Sequence, residues 1–273
     1  MRKLTEQDRS RVMEYVSQEP EYNLFILGDV ENFGFDHPDL EVFAQEEGDR
    51  WRCLLLRYLD NYVLYSREGA FYREEVAALM NQAPFNVLSG KSQVVDPMAS
   101  FFPRRAVRHT YLARLDRYPR WDEPLPPHVS VSQLGPEHAP DIVHLYLEVE
   151  QFAPLYRGRE EQAIREVRMN LLGGGRTFGA FSGGRLAAVA STTSECTRGA
   201  MVGGVATAPE FRRQGLASAL VSRLCTYCLS GGMEFLCLFY DNPAAGRVYR
   251  RVGFGGVGGY TPFPVSPAPR VPP

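Results

Sequence analysis

The sequence predicts an α/β fold, in the α+β sense of a mixed central sheet flanked by helices, with a second, smaller α/β domain at the N-terminus. Residues 202–240 give the pattern of strand, helix and strand in succession. Residues 176–193 give two alternating stretches joined by glycines, which is typical of a hairpin. A proline-rich stretch at 119–128 separates the two halves of the chain, so we expect it to be a linker.

The first half, residues 1–118, is predicted to form the smaller domain. Its signals are short and are read from hydrophobic period and turn residues. They predict helices at 8–17 and 71–80, paired strands at 52–59 and 62–66 around Asp60 and Asn61, and a strand at 86–88. Residues 22–30 form a dense apolar stretch.

The second half, residues 129–260, gives clearer signals. They predict a strand at 129–132, helices at 137–149 and 159–172, a hairpin of 176–181 with 186–193, a strand at 202–207, a helix from Leu216 to Gly231, and a strand at 235–240. The glycine-rich residues 253–258 are predicted to be a flexible turn, because no helix follows them. Residues 261–273 are predicted to be a disordered or extended proline-rich tail.

Composition excludes several classes of protein. Thirty Lys and Arg against 32 Asp and Glu give a net charge of −2, so no global field draws in nucleic acid or an anionic membrane. No apolar run reaches the roughly 18 residues of a membrane span, and the N-terminus lacks the apolar centre of a signal peptide. We therefore expect a cytoplasmic protein whose partners are small or locally recognised.

The cysteines and histidines do not form a metal or disulfide pattern. The five cysteines are an odd number without regular spacing, as expected of reduced thiols. Cys225 and Cys228 have CxxC spacing but lie inside a predicted helix without a second ligand pair, so we expect them to face the core. The five histidines are scattered, and no residue is assigned to a metal.

The turn between strand 202–207 and the following helix has the form of a phosphate site. A helix N-terminus presents unpaired N–H groups at the positive end of the helix dipole. Gly215 allows a ligand to approach the backbone closely, and Ala217 leaves the first helical turn uncrowded. This arrangement predicts a phosphorylated ligand.

The segment Arg212-x-x-Gly215-x-Ala217 resembles the Gln/Arg-x-x-Gly-x-Gly/Ala pyrophosphate signature of the GNAT superfamily of N-acetyltransferases. Downstream, Asn242-Pro-Ala-Ala245, then Tyr249 and Gly253-Phe254, is similar to the stretch that closes over coenzyme A in that superfamily. The resemblance covers about residues 129–260 and implies a GNAT-type mixed sheet. It also implies acetyl-CoA or coenzyme A as cosubstrate.

The resemblance implies three groups of coenzyme-binding residues. The thioester oxygen would lie near the N–H of Val205 or Ala206, with the pantetheine along Val205 to Thr207 like an added strand. The diphosphate would lie at the turn and the start of the helix. The implied residues are Val205, Ala206, Thr207, Arg212, Arg213, Gln214, Gly215, Leu216, Ala217, Ser218, Asn242 and Ala245.

Acyl transfer from a thioester to an amine needs a donor for the oxyanion and a proton for the departing sulfur. The resemblance points to Tyr249 as the acid, and a phenol of pKa about 10 holds its proton until a thiolate of pKa about 8.5 develops. The base that deprotonates the amine is left open between Glu150, Glu195 and a chain of water. Residues 152–156 are candidates either to line an acceptor pocket or to cover a core.

The predicted function is an acyl-CoA-dependent N-acyltransferase, most simply an N-acetyltransferase, acting on a primary amine of a small molecule or an amino-acid-like acceptor. The alternatives are a non-catalytic acyl-CoA-binding regulatory module and a protein or peptide N-acetyltransferase. Residues 19–25 look like the N-terminal region of two-part GNAT proteins, which predicts a diverged second copy in the first half. That half lacks the pyrophosphate signature, so its suggested role is one wall of the acceptor site.

Overall fold

The computed structural model describes residues 1–103, 107–121 and 123–264. Contacts divide the chain into two compact units. Unit 1 consists of Met1–Leu112, Phe239–Asp241 and Gly256–Pro273, and unit 2 consists of Ala113–Leu238 and Asn242–Gly255.

Unit 1 is a mixed sheet with helices. Its strands are β1 (Arg2–Lys3), β2 (Leu40–Glu47), β3 (Arg50–Tyr58), β4 (Asn61–Tyr65) and β5 (Val87–Lys91), and its helices are α1 (Arg9–Val16), α2 (Leu24–Phe33), α3 (Arg73–Met80) and α4 (Ser92–Val95). The pairs β1–β2, β2–β3 and β3–β4 are antiparallel, and β4–β5 is parallel. The predicted hairpin and the helices at 8–17 and 71–80 are confirmed, with ends shifted by one or two residues. Strand β2 was not predicted.

Unit 2 begins with the second half of β6 (Thr110–Leu115), a strand that was not predicted either. Its other strands are β7 (Val129–Gln133), β8 (Thr177–Ser182), β9 (Arg185–Thr193), β10 (Gly199–Thr207) and β11 (Phe235–Tyr240), the last two residues of β11 being assigned to unit 1. Its helices are α5 (Ala139–Glu148), α6 (Ala153–Tyr156), α7 (Glu160–Leu172), α8 (Leu216–Ser230) and α9 (Pro243–Val252). The pairs β7–β8, β8–β9 and β9–β10 are antiparallel, and β10–β11 is parallel.

The two units repeat one element order. The repeat starts at β1 in unit 1 and at β7 in unit 2. In each unit this first strand is followed by helices, then by three antiparallel strands, a helix, and a strand parallel to the last of the three. The helix in question is α3 in unit 1 and α8 in unit 2. This correspondence is what a diverged second copy of the fold predicts, and it allows the two helix N-termini to be compared position by position.

The end of the chain corrects two predictions. Residues 253–258 are not a flexible turn, because β12 (Gly255–Pro264) begins within them and pairs antiparallel with β5. Its glycines leave room for neighbours, since a Cβ on Gly258 or Gly259 would overlap the hydroxyl of Tyr22 or Ser92. The predicted tail therefore starts as strand, and residues 265–273 lie outside the described residues. Residues 256–260, which were predicted to end the domain at 129–260, belong to unit 1.

The stability of unit 1 is expected to depend on the ionisation of Asp29. Burial within α2 raises the pKa of this carboxyl to about 7 from its ordinary value of 3.8. A raised folded-state pKa means that stability is greatest below the unfolded pKa and is lost as the pH rises towards 7. At roughly 1.4 kcal/mol per pKa unit, the loss amounts to a few kcal/mol.

We therefore expect Asp29→Asn to raise the melting temperature at pH 8 and to change it little at pH 4. Thermal denaturation across this pH range measures the effect. Asp36→Asn is the matched control, because Asp36 is exposed on the same unit. A pH-independent difference between Asp29→Asn and the parent would contradict the assignment.

Candidate functional site

Strand β10 is irregular in its second half. Its parallel pairing with β11 runs from Gly199 to Val202, although β10 continues to Thr207. On the other side, the register with β9 shifts between Gly203 and Ala206, which is a β-bulge. Gly204 and Val205 are therefore skipped in the register. Their backbone groups lie where the sequence predicts that a thioester and its pantetheine would add to the sheet.

A tyrosine that the sequence analysis missed holds the bulge. Gly204 has φ of +59°, in the left-handed region that favours glycine. The hydroxyl of Tyr146, on α5, donates to the Gly204 carbonyl at 3.2 Å, and a Cβ on Gly204 would overlap this hydroxyl. Burial raises the pKa of Tyr146 far above its ordinary value, so it remains a donor at all working pH values.

Gly204→Ala should therefore lower the melting temperature by at least a few degrees, because a positive φ alone costs an L-residue about 1–2 kcal/mol and the methyl group also overlaps Tyr146. Gly203→Ala is the control, since its Cβ would make an ordinary contact of 3.6 Å with Thr193. Equal melting temperatures for the two variants would show that the bulge does not require Gly204.

The turn after β10 presents a row of backbone donors. A short 3-10 turn at Pro209–Phe211 leads to Arg213 with φ of +64° and to Gly215 with φ of +79°, which is the N-cap of α8. Among the described residues, the N–H groups of 213–218 find no backbone acceptor; the first such bond of α8 runs from the Ala219 N–H to the Gly215 carbonyl at 3.0 Å. Consecutive free amides at a helix N-terminus form an anion-binding nest.

The side chains of the turn leave this nest open and add positive charge. Arg212 and Arg213 are exposed, and within the described part of the chain neither is ion-paired with a carboxylate. Leu216 and Ser218 are buried, whereas Gln214 and Ala217 are half-buried. The predicted residues of the turn are thus brought together on one loop.

In the corresponding loop of unit 1, two backbone N–H groups are already paired with the protein's own side chains. The N–H of Tyr72, the N-cap of α3, donates to Gln45 Oε1 at 2.7 Å, and the N–H of Gly69 donates to Ser66 Oγ at 3.0 Å. The first turn of α3 also contains Glu74 and Glu75. Carboxylates at this end of a helix take the place of a bound anion and repel another. The loop before α3 is therefore a poorer diphosphate site than the loop before α8.

Helix α9 places the predicted closing residues on one face. Asn242 is its N-cap and accepts the Ala244 N–H at 2.8 Å through Oδ1. Asn242, Ala245 and Tyr249 are spaced i, i+3 and i+7, so they share a side of the helix. The Tyr249 ring packs edge-on against Phe254, with 6.2 Å between centroids. Burial raises the pKa of Tyr249 to about 12.

The two candidate bases lie in different surroundings. Glu195 follows β9 and forms an ion pair with Arg176, while its other oxygen accepts the Thr192 hydroxyl. Donors on both oxygens hold this carboxylate in place and occupy oxygens that would otherwise face an acceptor amine. Glu150 is exposed in the turn after α5. Neither has a contact that assigns it the role, so the identity of the base stays a prediction.

The segment after α5 divides between core and surface. Phe152 and Tyr156 stack on Tyr146 with centroids 4.8 Å and 4.9 Å away, next to the bulge. Leu155 is exposed. The aromatic pair therefore covers the core around Tyr146. The sequence offers one signal for Tyr146. A tyrosine on the apolar face of a helix needs a hydrogen-bond partner for its hydroxyl.

Other site types find no support within the described residues. All five cysteines are buried thiols that form no disulfide. No group of three or more His, Cys, Asp or Glu side chains in the described ranges is placed to hold a metal ion. Among the helices that the structure describes, none has the length and apolar character needed to cross a bilayer.

Comparison with known proteins agrees with this geometry. Residues 141–254 match the model of the acetyltransferase (GNAT) family. A search of curated proteins found no significant match. The fold is shared with solved structures. One is a Drosophila protein, with a TM-score of 0.72 and 14% identity over 97% of this chain and 98% of that chain. Another is a GCN5-related N-acetyltransferase from Sphaerobacter thermophilus, with a TM-score of 0.60 and 15% identity over 98% of this chain and 96% of that chain.

A third structure is described as a tandem GNAT protein from the clavulanic acid biosynthesis pathway, with a TM-score of 0.59 and 18% identity over 97% of this chain and 98% of that chain. Its two-domain fold matches the repeated element order of units 1 and 2. The match to the family model covers the bulged strand, the nest and Tyr249. Residues 141–254 therefore form a GNAT acetyltransferase domain, within a chain that has the fold of tandem GNAT proteins.

Proposed function

We propose that this chain is an acetyl-CoA-dependent N-acetyltransferase that acts on a primary amine of a small molecule or an amino-acid-like acceptor. The observation that carries the proposal is the run of six backbone N–H groups, 213–218, that find no backbone acceptor in the described part of the chain, at the start of a 15-residue helix. Such a nest fits a diphosphate, and the bulged strand beside it fits a pantetheine arm. The cytoplasmic location expected from the sequence stays a prediction.

The residues of unit 2 would divide the binding of coenzyme A among them. The amides of 213–218 would hold the diphosphate, with Arg212 and Arg213 offsetting its charge. Residues Val205 to Thr207 would pair with the pantetheine through backbone groups that have no strand partner on the β11 side. Asn242 and Ala245 would close over it from α9. Acetyl-CoA supplies the activated thioester when it is bound.

The chemistry that remains for the protein is donation of one hydrogen bond and transfer of two protons. The N–H of Val205 or Ala206 would polarise the thioester carbonyl as the amine nitrogen forms its bond to carbon. As the carbon–sulfur bond breaks, Tyr249 would give its proton to sulfur. The amine would lose its proton to Glu150, Glu195 or water.

A screen of acceptors tests this proposal. Acetyl-CoA is incubated with the full chain and a set of primary amines, amino acids and short peptides, and free thiol release is recorded. We expect release that depends on the acceptor and on the enzyme, with the acetylated product confirmed by mass spectrometry. Binding of acetyl-CoA without thiol release for any amine would favour the non-catalytic module. If free thiol is released only when a peptide is present, the acceptor is a protein or peptide and not a small amine.

A further inference from the structure

Two residues at the start of the stretch that was predicted to be a linker, Arg120 and Trp121, contact other parts of unit 2. The N–H of Arg120 donates to the Val252 carbonyl, at the end of α9, at 3.0 Å. The next residue, Trp121, reaches the N-cap of α8. Its indole atom Cζ2 lies 3.2 Å from the position that a Cβ on Gly215 would occupy. A tryptophan therefore lies against the nest of amides.

The polar atom of this tryptophan has no partner. Trp121 Nε1 is buried and, within the described residues, has no hydrogen-bond acceptor. Nε1 and Cζ2 are both bonded to Cε2, so the N–H belongs to the same edge of the indole that contacts Gly215. Buried donors are nearly always paired, and an orphan beside an anion site points to an acceptor supplied by the ligand.

The surroundings of the indole favour a negatively charged acceptor. The guanidinium of Arg251 lies over the Trp121 ring, 5.6 Å from its centroid. Arg213 and Arg212 follow on the turn itself. The positive end of α8 and the guanidinium of Arg251 thus lie next to a donor that can only give a hydrogen bond, which is the combination that recognises phosphate oxygens.

We propose that Trp121 is a coenzyme-binding residue, whose indole N–H donates to the diphosphate held by the amides of 213–218 and whose ring forms one wall of that site. This inference rests on the proposed function. It gives the segment 119–121 a binding role that neither the family signature nor the predicted linker contains. It also makes Trp121 an internal reporter of coenzyme binding, because the chain contains only two tryptophans.

The test uses the fluorescence of Trp121 in the Trp51→Phe variant of the full chain, where it is the single tryptophan. Titration with coenzyme A should change the emission of Trp121 along a saturable curve that gives the same dissociation constant as calorimetry. Pantetheine, which lacks the diphosphate, should leave the emission unchanged. Trp121→Phe should weaken binding of coenzyme A by about 10-fold to 100-fold. It should raise KM for acetyl-CoA and leave KM for S-acetylpantetheine unchanged.

The outcomes separate the inference from the proposed function. If calorimetry shows coenzyme binding but the emission of Trp121 stays constant and Trp121→Phe binds as tightly as the parent, the inference is overturned and the function stands. If Trp121→Phe raises KM equally for both acetyl donors, the role is structural and the inference also fails. If the parent chain binds no coenzyme A, the proposed function itself is wrong.

Discussion

Tyr249→Phe should reduce kcat by about 10²-fold to 10⁴-fold while leaving the dissociation constant of acetyl-CoA unchanged, because only the hydroxyl that protonates the departing sulfur is removed. The raised pKa of Tyr249, about 12, keeps this proton in place throughout the working pH range. We therefore also expect that ionisation of Tyr249 does not lower kcat of the parent at any pH below about 10. Steady-state kinetics and calorimetry on the same preparations measure both quantities.

Tyr227→Phe is the matched control for this substitution. Tyr227 lies on α8 of the same unit, and its side chain is 46% exposed, so the same chemical change should leave kcat within about twofold. Unchanged turnover of Tyr249→Phe would remove Tyr249 from the mechanism. A parallel loss of coenzyme affinity would assign it to binding instead.

Ala217→Glu should abolish coenzyme binding without loss of stability. Ala217 is the second residue of α8, the position that Glu74 occupies in α3 of unit 1. A glutamate in the first turn is favourable to the helix dipole but places a negative charge beside the diphosphate. Repulsion between charges about 4 Å apart near a protein surface is worth several kcal/mol, so we expect affinity to fall by 100-fold or more.

Ala217→Gln separates charge from size in this experiment. Glutamine has the shape of glutamate without its charge, so it should weaken binding far less, and both variants should melt within a few degrees of the parent. Thermal denaturation and a coenzyme A titration are run on all three proteins. Equal binding by Ala217→Glu and the parent would contradict the location of the diphosphate at this helix start.

The parts of the structure that the sequence predicted are those specified locally. Helix α8 follows from apolar residues every four positions and from Gly215 and Gly231 at its ends, and the turn before it follows from a short signature. The hairpin of unit 1 follows from Asp60 and Asn61. Each of these depends on residues within one stretch of chain, so a single sequence is enough.

The parts that could not be predicted depend on residues far apart in the chain. The bulge at Gly204 is held by Tyr146, 58 residues earlier, and only the folded chain brings them together. Strand β12 is rich in glycine and proline, which are poor strand formers, and it exists because Tyr22 and Ser92 fill the space above its glycines. The contact of Trp121 with Gly215 is of the same kind.

Isothermal titration of the full chain with coenzyme A tests the central claim most directly. We propose that the amides of 213–218 hold the diphosphate in unit 2, whereas the corresponding helix start of unit 1 carries Glu74 and Glu75. The account therefore predicts saturable binding of one coenzyme per chain. Absence of binding by the folded protein, or two equivalent sites per chain, would contradict it.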